Sequence, residues 1–356
     1  MKILVAMSGG VDSSVAAKLL CDEGNTCIGC TMKLYNNEDA GVSRFHTCCT
    51  LEDTEDARSV AYKLGMAYYV FNFSHDFKEK IIDKFAESYF RGVTPNPCID
   101  CNRYMKFEKL FSRADILDCD FIATGHYARI ERENGRFLLK KAVDETKDQS
   151  YVLYAMTQKQ LAKTLFPLGN LRKSETRQIA EKSGFVNAKK PDSQDICFVP
   201  DGNYAAIAEL HAGKTSESGD FVDMSGNTIG RHKGIIHYTV GQHKGLGISL
   251  GEKFYVCRIC AENNTVILGR ESDLYFAEAT AEDFNWISGE VPTSPVKCGV
   301  KVRYRQKEQP ATVYPTGEKS VRICFDEPQR AVTPGQAAVL YLGDTVLGGG
   351  TIVSAK

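Results

Sequence analysis

The chain has no long apolar run. No stretch approaches the roughly 18 apolar residues of a membrane helix, which argues against a spanning protein. The opening "MKILVAMSGG" meets glycines almost at once. It lacks the apolar core and cleavage site of a signal peptide, so the expected location is the cytoplasm. Net charge is nearly absent too: 44 basic residues face 45 acidic ones, a formal −1. Any nucleic-acid surface must then be a local patch. Thirteen cysteines, an odd number in 356 residues, argue against a disulfide framework and for a reducing compartment. There is no G-x-x-x-x-G-K-[ST] and no G-x-G-x-x-G, which excludes a Walker loop and a dinucleotide fingerprint. No internal repeat or low-complexity segment is present.

What is there is a globular composition, 43% hydrophobic and 25% charged. The length suggests two or three domains. The first half alternates strand and helix patterns. "KILVAM", "CIGCTMKLY", "AYYVFNF" and "DFIATGHY" read as strands. "SSVAAKLLCDEG", "LEDTEDARSVAYKLG" and "HDFKEKIIDKFAESYFRG" read as helices, each stopped by a glycine. This rhythm predicts an α/β fold with a Rossmann-like parallel sheet covered by helices. After about residue 200, glycine turns separate short strands such as "FYVCRIC", "TVILG", "VKVRYR" and "SVRICF". That predicts small, mostly β domains, the last a β-barrel, with a seam near 274–280. The expected domains are 1–200, 201–275 and 276–356.

"AMSGGVDSS" (6–14) joins the first strand to the first helix. Its glycines allow a tight turn, and free N–H groups at a helix start favour an anion. An ordinary capped turn is the plain alternative.

Three C-x-x-C pairs occur. Cys27/Cys30 and Cys257/Cys260 lie in strand patterns, where residues i and i+3 point to opposite faces. They read as packing residues, as do Cys21, Cys119, Cys298 and Cys324; the adjacent Cys48 and Cys49 stay open. Cys98 and Cys101, in "TPNPCIDCNRYMKF", differ. The prolines forbid regular helix up to Pro97, and a helix then starts. The pair shares a face of its first turn, where helix N–H groups favour thiolate. A zinc-type pair is the alternative. Cys197, in the polar "KKPDSQDICFVP", is the candidate distant partner.

"SGGVDS" resembles the pyrophosphate loop of the N-type ATP pyrophosphatases, which adenylate a substrate carbonyl. "AMSGGVDSSVAA", "NPCIDCNRYMKF", "ATGHYARI", "KDQSYVLY", "KPDSQDICF", "GRHKGIIHYTVGQHKGLGI" and "VRYRQ", in this order, resemble the tRNA-specific 2-thiouridylases of the bacterial MnmA type. The resemblance runs along the whole chain. It implies a sulfurtransferase that uses ATP and Mg²⁺ to adenylate O2 of the wobble uridine in tRNA, then replaces that oxygen with sulfur. A persulfide or sulfide donor, a cysteine desulfurase or a sulfur-relay protein, would supply the sulfur. Cys197 matches the persulfide carrier and Cys101 its partner thiol. Ala6, Met7, Ser8, Gly9, Gly10, Val11, Asp12, Ser13, Met32 and Gly125 match the ATP site. Asn96, Pro97, Cys98, His126, Lys147, Asp148, Gln149, Arg303, Tyr304 and Gln336 match tRNA-contacting positions. Arg303 and Arg305 are expected on one face of a strand, suited to phosphates. Lys233, His237, His243 and Lys244 are further basic candidates in the glycine-rich middle segment.

Cys98 departs from the family's best-known form, which has aspartate there. Asp100 is close in sequence but points elsewhere on a helical turn. Cys98, Cys101 and Cys197 together would suffice for three irons of a [4Fe–4S] cluster. A metal-free persulfide relay stands level with the cluster on the sequence, and a zinc site is the lesser alternative. Two rival functions stand beside thiolation: another ATP pyrophosphatase with a different substrate, and a non-catalytic, metal-binding RNA-binding protein.

Overall fold

Strand β1, Lys2–Ala6, has Ile3, Leu4 and Val5 fully buried, as a central parallel strand covered on both faces must be. The computed structural model describes residues 1–36, 51–192, 196–199, 202–248 and 251–356. Cys48 and Cys49 lie outside them. Ile3 and Val5 face one apolar cluster and Leu4 the other, the period-two signature of a strand. Helix α1, Val11–Asp22, follows β1; β2 is Thr26–Lys33, α2 Leu51–Lys63 and β3 Ala67–Asn72. A helical run over 74–90 (α3) and another over 97–116 (α4) precede β4, Phe121–Ala123. Both runs contain π-wound stretches, Lys78–Asp83 and Cys101–Lys109. The sheet is parallel in the order β3-β2-β1-β4-β7, where β7 is only Thr164–Leu165. Two residues carry no period, so this edge strand leaves no trace in the sequence pattern.

β5, Ala128–Glu133, and β6, Arg136–Lys141, form a hairpin. Its turn is Asn134–Gly135, at φ +48° and +79°. That Asn-Gly pair is the usual two-residue hairpin signal and was available in the sequence. The hairpin joins the C-terminal sheet through β6 and β17. Helix α5 is Lys173–Lys182 and α6 is Tyr204–Ala212.

The middle of the chain forms a four-stranded sheet from β8 (Gly219–Val222), β9 (Thr228–His232), β10 (Tyr255–Cys260) and β11 (Thr265–Gly269), in the order β10-β11-β8-β9. Phe221, Val256, Val266 and Leu268 share one apolar cluster with Phe77, Ile81 and Phe85 of α3. The middle sheet thus continues the core of the α/β part. β12 (Tyr275–Trp286), β13 (Val296–Lys301), β14 (Gln309–Gly317), β15 (Ser320–Arg330), β16 (Ala337–Leu342) and β17 (Thr345–Ala355) close into a six-stranded antiparallel barrel. The start of β12 falls within the stretch 274–280. The α/β fold followed by mostly β parts, ending in a barrel, is as the sequence predicts. One expected strand fails: residues 302–306, "VRYRQ", form a turn beyond the end of β13. The alternating Arg-Tyr-Arg pattern had no ladder to join.

Among the described residues, no helix is long and apolar enough to cross a membrane.

Candidate active site

The strand order reverses between β1 and β4, and ligands of open α/β sheets bind beyond the strand ends at such a point. Residues 6–14 sit there. Gly9 has φ +77°, and a Cβ on it would lie 2.2 Å from the Asp53 carbonyl oxygen. Glycine is therefore required twice, by backbone conformation and by contact with α2. Gly10 is the N-cap of α1 and offers no side chain to the free N–H groups. Ser13 Oγ accepts from the Ser8 N–H at 3.1 Å, and Ser13 and Ser14 hydroxyls donate to the Gly10 carbonyl. These bonds fix the loop's curvature and leave its first helical N–H groups directed at the strand end.

Asn187 seals the loop from behind, donating to the Gly9 carbonyl at 2.8 Å and to Ser14 Oγ at 2.9 Å. Its Oδ1 is buried with no partner among the described residues. Gly125 is needed for a different reason than expected. A Cβ there would meet Ser13 N at 2.7 Å and the Asp12 carbonyl carbon at 2.8 Å, so the glycine admits the protein's own loop. Met32 is half-buried near the end of β2, between two apolar clusters.

Asp12 is the charged centre of the loop. Lys173 Nζ lies 2.7 and 2.8 Å from its two carboxylate oxygens, and the Tyr127 hydroxyl donates to it at 2.9 Å. The same Lys173 Nζ is 2.8 Å from Asp192. Asp192 also pairs with Lys147 and Arg177, each at 2.8 Å. Burial would raise the Asp192 carboxyl, but Lys147 and Lys173 outweigh it and hold it at about 2. Lys173, Tyr127, Asn187 and Asp192 were missed from the sequence; Tyr127 and Asp192 stand inside quoted motifs without being singled out, and Lys173 and Asn187 belong to none.

The expected tRNA trio 147–149 faces inward. Lys147 pairs with Asp192, and Asp148 accepts from the N–H groups of Ala142 and Ser150. Gln149 accepts from the Tyr127 N–H at 2.9 Å. The trio thereby supports Tyr127, and through it Asp12.

The cysteine region begins with Asn96, the N-cap of α4, and a buried Pro97 that can offer tRNA no surface. Cys98 is exposed; Cys101 is half-buried against the aromatic cluster of α3. The thiolate expected of a helix start does not hold for Cys101. Burial pushes its thiol up to about 11, with Lys106 pulling the other way. Desolvation outweighs the helix N-terminus because the side chain lies among apolar groups. Asp100 does turn away, to Lys84 Nζ at 2.8 Å.

Cys197 packs on the rim of the same cluster, and its carbonyl accepts from the Tyr35 hydroxyl at 2.6 Å. Phe198 anchors it, edge-on to Phe77 and Phe85. The structure therefore sets Cys101 and Cys197 on one apolar body. It does not gather Cys98, Cys101 and Cys197 as a ligand set: among the described residues, no three Cys, His, Asp or Glu side chains converge on a metal position.

Lys106 joins the two halves. Its Nζ is 3.3 Å from His126 Nε2, and His126 Nδ1 is 2.6 Å from Thr124 Oγ1. An ammonium only donates, so Nε2 is the bare nitrogen and Nδ1 carries the proton. Burial, then Lys106, pushes His126 well below its usual value. His126 is enclosed and neutral and positions Lys106; it has no surface for tRNA.

The barrel buttresses this region. Gln336 Nε2 donates to the carbonyls of Thr94 at 2.9 Å and Pro95 at 3.3 Å. Arg303 is spent internally, on the carbonyls of Ala331 and Val240 and on Thr333 Oγ1. Tyr304 is 39% exposed and donates to the Asp148 carbonyl at 3.1 Å. Burial, then Asp148 and Cys98, pushes its phenol up. Of the expected barrel readers, Tyr304 and Arg305 are exposed, while Arg303 and Gln336 are spent on the protein's own carbonyls.

Cys27 and Cys30 are buried in clusters on opposite faces of the sheet, as their strand spacing requires.

Comparison with known proteins gives three family models that together span most of the chain. They are described as the tRNA methyl transferase HUP domain (residues 1–201), the tRNA methyl transferase PRC-barrel domain (210–270) and the aminomethyltransferase beta-barrel domain (276–352). The chain is 49% identical to the tRNA-specific 2-thiouridylase MnmA of Clostridioides difficile (strain 630), over 99% of this chain and 98% of that one. It is 50% identical to the enzyme of the same name from Acetivibrio thermocellus, over 99% of each. Among solved structures, the NMN synthetase of Francisella tularensis covers 60% of this chain and 77% of its own at 15% identity, with a TM-score of 0.35, too low to bear on function. With half its residues identical to these relatives over nearly its full length, the chain belongs to the tRNA-specific 2-thiouridylase family.

Proposed function

We propose that this chain converts the wobble uridine of tRNA to 2-thiouridine. The observation that carries the reading is one sheet edge bearing a phosphate-binding loop beside an apolar body that holds both Cys101 and Cys197. Uridine O2 attacks the α-phosphorus of ATP and pyrophosphate leaves. The free N–H groups of α1 receive its charge. The outer sulfur of a Cys197 persulfide then attacks C2 and AMP departs. Cys101 attacks Cys197 Sγ, leaving C2=S on the base and a Cys101–Cys197 disulfide that an external thiol reduces. Cys101 is protonated at neutral pH in the resting protein, so Lys106 is the group positioned to stabilise its thiolate when it acts.

Asp12 fits Mg²⁺, which takes one or two carboxylates plus substrate phosphates. Bound there, the ion would neutralise pyrophosphate charge. Among the described residues no three Cys, His, Asp or Glu side chains converge on a metal position, and no step is drawn through a [4Fe–4S] cluster. Residues 201–275 and 276–356 are read as tRNA-gripping domains and 1–200 as the catalytic one. Tyr304, 39% exposed, is read as the residue that stacks on a base. The sulfur donor is a persulfide carrier, a cysteine desulfurase or a relay protein. The family-model descriptions speak of methyl transfer; a persulfide carrier with a second thiol to release its sulfur is what thiolation asks of Cys197 and Cys101.

The test uses purified full-length protein with tRNA, Mg–ATP and a persulfide donor. Pyrophosphate release that depends on tRNA, with one sulfur gained by the wobble base, is expected. Pyrophosphate release without tRNA dependence would favour another ATP pyrophosphatase. Iron and acid-labile sulfide on protein purified without oxygen, alongside Cys98→Ala, checks the cluster. Near-stoichiometric iron lost in that variant would replace the relay.

A further inference from the structure

Asn187 is only 3% exposed, yet its side chain is polar. Its Nδ2 donates to the Gly9 carbonyl and to Ser14 Oγ, so it grips the phosphate loop at two points. We propose that Asn187 is a positioning residue: it turns the Gly9–Gly10 peptide so that the Gly10 N–H faces the pyrophosphate part of ATP. The proposal rests on the reading that residues 6–14 bind ATP.

Peptide geometry carries the step from Asn187 to Gly10. The described residues contain no cis peptide bond. In a trans peptide the C=O and the following N–H point in opposite directions. Asn187 draws the Gly9 carbonyl to the back of the loop, so the Gly10 N–H is turned to the front. Among the described residues that N–H meets no acceptor. A peptide with glycine on both sides has little conformational preference of its own and can flip. The hydrogen bond from Asn187 removes that freedom.

The amide's orientation is settled by its partners. A carbonyl only accepts, so the group facing Gly9 is the NH₂. The Ser14 hydroxyl gives its proton to the Gly10 carbonyl at 3.0 Å and therefore accepts from Asn187. Oδ1 is left buried with no partner among the described residues. An apolar side chain would fill this place without an unsatisfied acceptor, so the amide is explained by what its donors hold. The backbone of Asn187 is itself fixed. Phe185 and Ala188 pack in one apolar cluster with Val11 and Val15 of α1. The Asn187 carbonyl accepts from the Lys190 N–H at 2.9 Å, and Lys190 Nζ reaches Asp53 and Asp56 of α2 at 2.6 and 2.7 Å. The brace is thus tied to both helices that flank the loop. A donor held in place before the nucleotide arrives needs no reorganisation when charge builds on the leaving pyrophosphate.

The test compares the full-length wild type with Asn187→Leu, which removes both donors, keeps a branched shape and adds no charge. The probe is inorganic pyrophosphate with Mg²⁺. Glycine labelled with ¹³C at the carbonyl and with ¹⁵N selects the Gly–Gly peptides in the NMR spectrum; the sequence has three, 9–10, 348–349 and 349–350. Loss of a signal in Gly10→Ala assigns the first, since a Cβ at Gly10 meets nothing closer than Ser8 Oγ at 3.5 Å. In wild type, pyrophosphate is expected to move the Gly10 amide proton downfield and leave the other two in place. In Asn187→Leu that shift should be lost, and pyrophosphate affinity measured by calorimetry should fall at least about tenfold, as loss of one hydrogen bond to a charged group does. An affinity equal to wild type overturns the proposal. So does a full Gly10 shift in the variant, because Asn187 then only supports packing. Binding in wild type that leaves Gly10 unmoved overturns it as well. If wild type binds no Mg–pyrophosphate, the nucleotide reading beneath the proposal fails instead. Should Asn187→Leu not fold, Asn187→Ala, which cannot overpack the site, is held to the same outcomes.

Discussion

The phosphate loop and the cysteine region meet at the same sheet edge, yet they are held by different means. The loop's turn is made by nearby residues, Gly9, Gly10, Ser8, Ser13 and Ser14, with Asn187 and Gly125 packed behind it. The cysteine region depends on three distant parts: α3 beneath it, Lys106 and His126 beside it, and barrel residues such as Gln336 above it. One is a local backbone device that binds charge. The other is an apolar platform on which reactivity must be drawn out against desolvation. The contrast predicts that the two halves fail separately.

The sharpest break comes from Cys197→Ala. It should lower thiolation by about 10³-fold or more, as loss of a nucleophile does. Pyrophosphate release with tRNA should survive, since the loop's geometry does not involve that side chain. Loss of both activities together would mean the halves are one unit.

Gly9→Ala attacks the other half. The φ of +77° and the 2.2 Å approach to Asp53 add strain of about 1–3 kcal/mol. Mg–ATP affinity should fall at least about tenfold, while alkylation of Cys101 stays at its wild-type rate. An unchanged ATP affinity would remove the loop from the site.

These two variants also show what the sequence could reveal. The loop was legible because its determinants are contiguous. Cys197 was legible because a cysteine in a polar, proline-flanked segment has no packing excuse. The Lys173–Asp192 link was not, since contact between 12, 173 and 192 exists only after folding. The contacts of 147–149 were hidden for the same reason: a charged loop looks alike whether it faces solvent or a half-buried aspartate. Arg303 was misjudged because alternation suggested a strand, and a turn let its guanidinium reach carbonyls instead.

A smaller effect sharpens the chemistry of the platform. With Cys101 at about 11, its alkylation should be slow at pH 8 and rise through pH 10 to 11. The raised value also means that the buried neutral thiol stabilises the fold below about pH 9, and that this contribution is lost as pH rises through 11. Lys106→Gln should move the alkylation profile to higher pH, and Lys106→Arg should restore most of it. A profile that does not move would leave Lys106 with a structural role only.

The smallest effect tests whether the barrel holds the cysteine region or only the tRNA. Gln336→Ala removes two hydrogen bonds to the carbonyls of Thr94 and Pro95, worth about 1 kcal/mol each. The Thr94 N–H donates to the Pro334 carbonyl, so its exchange with solvent reports opening of the same contact. That amide should exchange about tenfold faster in the variant, and alkylation of Cys98 should rise with it. Both readouts are made without tRNA. If exchange is unchanged and only tRNA affinity falls, Gln336 is a reader, as its family position implies. If exchange accelerates, the barrel shapes the cysteine region before any tRNA arrives.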